Sequence, residues 1–245
     1  LLLVLNMGRA FEYRKARKMK RWASMAKVFT RISKDIIMAV KESGPNPEAN
    51  SRLKALIQNA RDANMPKDNV DRAIKRAVSR DQADYKEVVY EGYGPHGIAI
   101  IVETATDNNT RTVANVRSYF NKCNGSLGTS GSVEFMFERK CHFKMPKSNM
   151  DIEEFEFDMI DYGVEEIFQE YDEEKELEVL IMYAPFSEFG SITKTLEVKG
   201  IEILNSGFER IPLDTKKLNS DDSLEVDKLL EKIEEDEDVQ AVFHN

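Results

Sequence analysis

Near residue 80 the chain changes its hydrophobic period and its charge together, and that joint change limits the folds open to it. From Trp22 the apolar residues Met25, Phe29, Ile32, Ile36 and Val40 recur every three or four positions, the spacing of one helical stripe. The Ser-Gly-Pro-Asn-Pro run at 43–47 ends that helix. Asn46 is expected to cap a second helix, with Pro47 in its first turn and Leu53, Leu56, Ile57 and Ala60 turned inward. Pro66 starts a third, carrying Val70, Ile74 and Ala77. Residues 7–80 hold nineteen Lys and Arg against seven Asp and Glu, a net of +12 in a chain whose formal charge is −9. The other residues therefore sum to −21, so a basic helical domain at 7–80 leads a strongly acidic remainder.

After residue 80 the pattern is that of strands. Two β-rich runs, 88–90 and 98–102, flank a Gly-Tyr-Gly-Pro-His-Gly turn. A helix is expected at 109–122, with Val113, Val116 and Phe120 on its inner side, then a glycine-containing loop and a strand at 132–138. From Cys141 the order reads strand 141–145, helix 151–161, strands 165–171 and 176–183, helix 186–199 and strand 201–208. That is the β-α-β-β-α-β order of a ferredoxin-like unit. Residues 140–208 carry six Lys against seventeen Asp and Glu. A closing helix at 222–235 and strand at 239–243 have too few partners to stand alone, so they are expected to return to the second domain. The fold class is therefore α+β and multidomain: a helical domain at 7–80, an α+β domain at 81–139 plus 209–245, and an acidic ferredoxin-like domain inserted at 140–208.

Several classes of function fall away on composition. The opening Leu-Leu-Leu-Val-Leu run is apolar over five residues, far short of the roughly 20 that cross a bilayer, and it lacks the basic flank of a signal peptide. Met7 is read as the start, and residues 1–6 as a leader outside the fold. No membrane association is expected. Cys123 and Cys141, eighteen residues apart, are the two cysteines, and their spacing indicates neither a disulfide framework nor a zinc site, which fits a reducing cytoplasm. His96, His142 and His244 make no ligand spacing with either cysteine. Cys123 with His96 lacks a third, orienting group, so no catalytic residue, metal or cofactor is expected.

The stretch Tyr90–Phe137, from YEGYGPHGIAIIVETATDNNTRT to GSLGTSGSVEFMF, closely resembles the most recognisable block of the YebC/PmpR family. Lys27-Val28-Phe29-Thr30, Asn46-Pro47 with Arg52-Leu53, Asn64-Met65-Pro66, and Asp238-Val239-Gln240 with His244-Asn245 match it as well, collinear from Met7. The resemblance implies three domains with the third inserted in the second. It also implies a cytoplasmic, non-enzymatic nucleic-acid-associated regulator, usually described as a transcriptional regulator. Mitochondrial relatives resemble translational activators of cytochrome oxidase, and bacterial ones have been linked to stalled ribosomes. The chain departs from the family at its N-terminus, where Gly8-Arg9-Ala10-Phe11-Glu12 and Ala16-Arg17-Lys18 replace the usual Gly-His-Ser-Lys-Trp and His-Arg-Lys. Only Arg17 and Lys18 carry over.

The candidate nucleic-acid contacts are Arg14, Lys15, Arg17, Lys18, Lys20, Arg21, Lys27 and Arg31. Between 14 and 21 these cations occupy nearly every helical phase and would repel one another without a polyanion, whose condensed counterions their binding would release. Tyr13 is a further candidate because an aromatic ring beside cations can stack on an exposed base. Arg111 and Arg117 are candidates on the 109–122 helix, where a cation in the first turn works against the dipole. The glycine loop at 125–131 has no Gly-Lys-Ser/Thr and leads into a strand, so it is read as a turn and not a phosphate cradle. DNA, ribosomal RNA or both are the expected partners, with a protein facing the acidic domains and the molecule itself a monomer.

Overall fold

A computed structural model describes residues 25–79, 84–148, 151–173 and 175–245. Contacts gather these residues into two units, one holding Lys54–Asn64 and Arg139–Ile211, the other Ala26–Leu53, Met65–Glu138 and Pro212–Asn245. The element order mixes seven α-helices with two four-stranded sheets among the described residues.

Three helices come first: α1 at Met25–Ser43, α2 at Ser51–Asp62 and α3 at Lys67–Val78. Ile36 and Val40 of the sequence stripe are buried, joined by Ile37, while Ile32 and Phe29 are half-buried toward the helix start. The start of α2 corrects the sequence reading. Asn46 accepts the Glu48 N–H within a turn, and it is the buried Asn50 that caps α2, its Oδ1 accepting the Leu53 N–H at 3.0 Å. The Asn50 amide also donates to the Ala39 and Gly44 carbonyls at 2.8 and 2.9 Å. One side chain therefore closes the end of α1 and opens α2, which the Asn46-Pro47 pair cannot do from four residues away. Asn64, at φ 57°, ends the α2 region in the left-handed conformation, and Pro66 precedes α3.

In the unit that holds α1 and α3, strands β1 (Lys86–Tyr93), β2 (Ala99–Thr106) and β3 (Ser126–Leu127) join the C-terminal strand β8 (Val239–His244) in the order β3-β1-β2-β8. β1 and β2 form an antiparallel hairpin, and β2 pairs antiparallel with β8. Helices α4 (Asn109–Lys122) and α7 (Ser220–Glu234) cover this sheet: Val116 and Phe120 from α4 and Val226, Leu229, Leu230 and Ile233 from α7 meet Ile98, Ile100 and Val102. The strand expected at 132–138 is absent. Its first residues form a turn and a short 3-10 segment at Glu134–Met136, and the true strand, β4, runs unbroken over Phe137–Pro146.

The other unit continues as α5 (Ile152–Ile160), β5 (Glu166–Asp172), β6 (Leu177–Pro185), α6 (Phe189–Val198) and β7 (Asn205–Pro212), with sheet order β5-β6-β4-β7. Alternation divides its strands between two faces. Cys141, Phe143, Met145, Leu180 and Met182 pack against Phe155 and Met159 of α5 and Ile192 and Leu196 of α6, whereas Val179, Ile181 and Tyr183 join Leu204 and Ile211 in a separate cluster. The end of α2 is tied to this unit by two side chains: Asn59 Nδ2 donates to the Ser206 carbonyl at 2.6 Å and Oδ1 accepts the Ser206 N–H at 2.9 Å, and Asp62 Oδ1 accepts from Lys175 Nζ at 2.5 Å. β7 starts four residues later than the expected 201–208 strand, because Ile201 and Ile203 pack against the helix-covered core before the strand begins.

Candidate nucleic-acid interface

Seven of the expected contacts, Tyr13, Arg14, Lys15, Arg17, Lys18, Lys20 and Arg21, lie outside the described residues. Lys27 and Arg31 are on α1, both half-buried. The Arg31 guanidinium reaches back into its own unit, Nε donating to the Val239 carbonyl and Nη2 to the Glu234 carbonyl, each at 3.0 Å. Glu234 is the last residue of α7, so the cation sits where unpaired carbonyls and the helix dipole both favour positive charge.

One turn along α1, Lys34 is almost fully buried. Its ammonium donates to the Ala105 carbonyl at 3.0 Å, the Glu237 carbonyl at 2.7 Å and Asp238 Oδ1 at 3.0 Å, which uses all three of its protons. Asp238 is the centre of a larger network. Its Oδ2 accepts from Arg111 Nη2 at 2.7 Å and lies 2.8 Å from Thr112 Oγ1 and 3.2 Å from Thr106 Oγ1. Burial acts to raise its pKa, but hydrogen bonds from Arg111, Thr112 and Lys34 outweigh that and hold the carboxyl down to about 2.

On α4, Asn108 caps the helix by accepting the Arg111 N–H at 3.1 Å. The Arg111 guanidinium is half-exposed and divides its Nη2 between Asp107 and Asp238. Arg117 is exposed two turns on, where it lines a shallow surface groove with Ala114, Ser118, Asn121 and Lys122. The described candidates thus fall into two environments: Arg31 and Arg111 are engaged by backbone carbonyls and carboxylates of their own unit, while Arg117 faces outward. Sequence reasoning counted but did not single out Lys67, Lys75 and Arg76, which are exposed on α3, or Lys122 beside Arg117. Their signal was present as basic residues off the apolar stripes of their helices.

The glycine loop is closed on itself. Glu91, buried on β1, accepts the backbone N–H groups of Gly131, Val133 and Glu134 at 2.7, 2.8 and 2.9 Å, so the donors a phosphate would use hold an internal carboxylate. Gly92 must remain glycine, since a Cβ there would stand 2.5 Å from the Ser126 carbonyl oxygen. Burial pushes the Cys141 thiol up to about 11, away from nucleophilic character. Among the described residues no group of three or more His, Cys, Asp or Glu is arranged to hold a metal ion, and no helix is long and apolar enough to cross a membrane.

Comparison with known proteins follows the same layout. Residues 9–80 match the model of the TACO1/YebC protein N-terminal domain, and residues 85–245 match that of the TACO1/YebC second and third domain. A protein of Flavobacterium psychrophilum named as a probable transcriptional regulatory protein is 63% identical over 238 residues, covering 97% of this chain and 98% of its own. Proteins likewise named as probable transcriptional regulatory proteins from Porphyromonas gingivalis and Myxococcus xanthus are 60% and 52% identical, the matches covering 98% of this chain and 97% and 99% of theirs. The crystal structure of the conserved hypothetical protein Aq1575 from Aquifex aeolicus is similar at a TM-score of 0.75 and 37% identity, over 91% of this chain and 90% of that one. With family models matched over 9–80 and 85–245 and relatives this similar along nearly the whole length, the chain belongs to the TACO1/YebC family.

Proposed function

We propose that this protein is a non-enzymatic, DNA-binding transcriptional regulator of the cytoplasm, gripping phosphates through its N-terminal basic region. The observation that carries the reading is the +12 net charge of residues 7–80 in a chain of −9 overall. The naming of its relatives as probable transcriptional regulatory proteins supports the regulatory part. Arg14, Lys15, Arg17, Lys18, Lys20 and Arg21 are the proposed primary contacts, with Lys27, Tyr13 and the outward Arg117 beside them. Phosphate contacts fix position and not sequence, so selectivity is modest unless base contacts are added.

A second reading, a ribosome-associated translation factor that uses the same basic end on ribosomal RNA, rests on the same charge asymmetry and on the resemblance to mitochondrial translational activators. In either case the molecule acts as a monomer whose acidic domain faces a protein. The β5-β6-β4-β7 order and the pairing of β8 with β2 support reading 140–208 as a ferredoxin-like unit inserted into a domain built from 81–139 and 209–245.

The test is a binding titration of the full chain against duplex DNA and against ribosomes across a salt series. The logarithm of affinity for duplex should fall with the logarithm of salt by about 0.9 per phosphate neutralised, and Arg17→Glu with Lys18→Glu should abolish binding without changing the melting temperature. Salt-independent affinity sinks the phosphate reading. Co-sedimentation with ribosomes alongside weak duplex binding selects the second.

A further inference from the structure

Helix α5 presents an apolar face to solvent inside the most acidic part of the chain. Phe155 and Met159 are buried against the sheet, as an amphipathic helix requires, yet Phe157 is 79% exposed and Ile160 62% exposed on the outer side. Their spacing of three puts them on one face. Glu153 and Glu154 lie one turn before Phe157 and Asp161 one turn after, all exposed. The neighbouring helix adds to this surface: Lys199, just past the end of α6, pairs with Asp158, and Val198 beside it is 81% exposed. Tyr162, also exposed, follows in the turn after α5. Isolated exposed apolar groups are ordinary, but Phe157 and Ile160 share one face of α5, and the Asp158–Lys199 pair brings the end of α6, with Val198, alongside that helix.

We infer that the α5–α6 surface centred on Phe157, Ile160 and Val198 is a docking site for a cationic amphipathic helix of a partner protein. Charge decides among the occupants. Residues 140–208 carry seventeen acidic against six basic residues, so a nucleic acid would be repelled, and the same patch on a second copy would meet its own sign. A helix with an apolar stripe for Phe157 and Ile160 and lysines or arginines flanking it for Glu153, Glu154 and Asp161 satisfies both components at once. Apolar contact sets how long the complex lasts, and the carboxylates set how fast and how selectively it forms.

The probe is a labelled 18-residue peptide of leucine and lysine in amphipathic helical order, with a scrambled peptide of the same composition as control, read by fluorescence anisotropy on the full chain. The ordered peptide should bind at least tenfold more tightly than the scrambled one, and Phe157→Ala with Ile160→Ala should remove that difference while leaving the melting temperature unchanged. Glu153→Gln with Glu154→Gln should slow association and flatten its salt dependence. In cells, a photo-crosslinking residue at position 157 should capture a basic segment of another protein. Equal binding of both peptides, or no effect of the double alanine variant, overturns the proposal. So does self-association that the double variant abolishes, since the occupant would then be a second copy. Nucleic acid recovered at position 157 overturns it as well. None of these readouts depends on the N-terminal cations, so failure here is distinguishable from failure of the nucleic-acid reading.

Discussion

Lys34 and Asp238 stand 204 positions apart in sequence and 3.0 Å apart in the fold, each side chain almost wholly removed from water. The pair fastens a helix from the basic region to the strand that ends the chain. Removing Lys34 takes a charged donor from Asp238 Oδ1 and from two carbonyls, while Arg111, Thr112 and Thr106 stay on Oδ2, at a cost of about 1–3 kcal/mol. Lys34→Met should therefore lower stability by that amount in urea unfolding, and Asp238→Asn should cost less in that background than in the wild type. Strict additivity of the two substitutions would show that the residues are not coupled.

Two carboxyls with opposite shifts shape stability against pH. Burial, with Glu87 and Glu103 nearby, pushes Asp35 up to about 7 despite the opposing pull of Arg52 and Arg31. Between the unfolded value near 3.9 and the folded value, the native state holds a proton that the unfolded chain has released, so stability falls as pH rises from about 4 to 7. Asp238 behaves in the usual way, adding stability above about 4 that is lost as pH falls toward 2. The maximum from these two groups lies near pH 4. Asp35→Asn should flatten the limb above it and raise stability at pH 8 by on the order of 2 kcal/mol, about half of what three pK units would allow. An unchanged slope in urea midpoints between pH 4 and 7 would refute the assignment.

Glu91→Gln keeps the size of the side chain but removes the charge that three backbone donors share. The expected loss is about 1–3 kcal/mol, with faster hydrogen exchange at Gly131, Val133 and Glu134 before any global change. Exchange rates that stay at wild-type values would mean the loop holds its shape without the carboxylate.

Along α1, Ile36→Ala should cost about 2–5 kcal/mol, because Ile36 is fully buried and its removal leaves a cavity. Phe29 is only half-buried, so Phe29→Ala should cost less, about 1–2 kcal/mol, although the side chain is larger. Chemical denaturation of the two variants gives the order directly.

The 109–122 helix is legible in the sequence because an Asn cap, a buried stripe and a glycine exit all agree there. β7 is not, since hydropathy placed a strand on Ile201 and Ile203. The actual strand is polar because its side chains answer polar neighbours: Glu209 accepts from Tyr183 at 2.7 Å, and Asn205 lies 3.1 Å from the His142 ring nitrogen. A buried strand of that kind is silent to a hydrophobic scan. The site was legible as a density of positive charge. That Arg31, Lys34 and Arg111 each reach an acceptor more than a hundred residues away depends on tertiary contacts no local pattern records.

The closed glycine loop has a competitive meaning. A carboxylate tethered by its own chain acts at an effective concentration in the millimolar range or above, before any gain from being held in place. Any phosphate approaching Gly131, Val133 and Glu134 must displace that built-in competitor and take these three donors from a buried charge, so the loop behaves as a receptor already saturated by its own ligand.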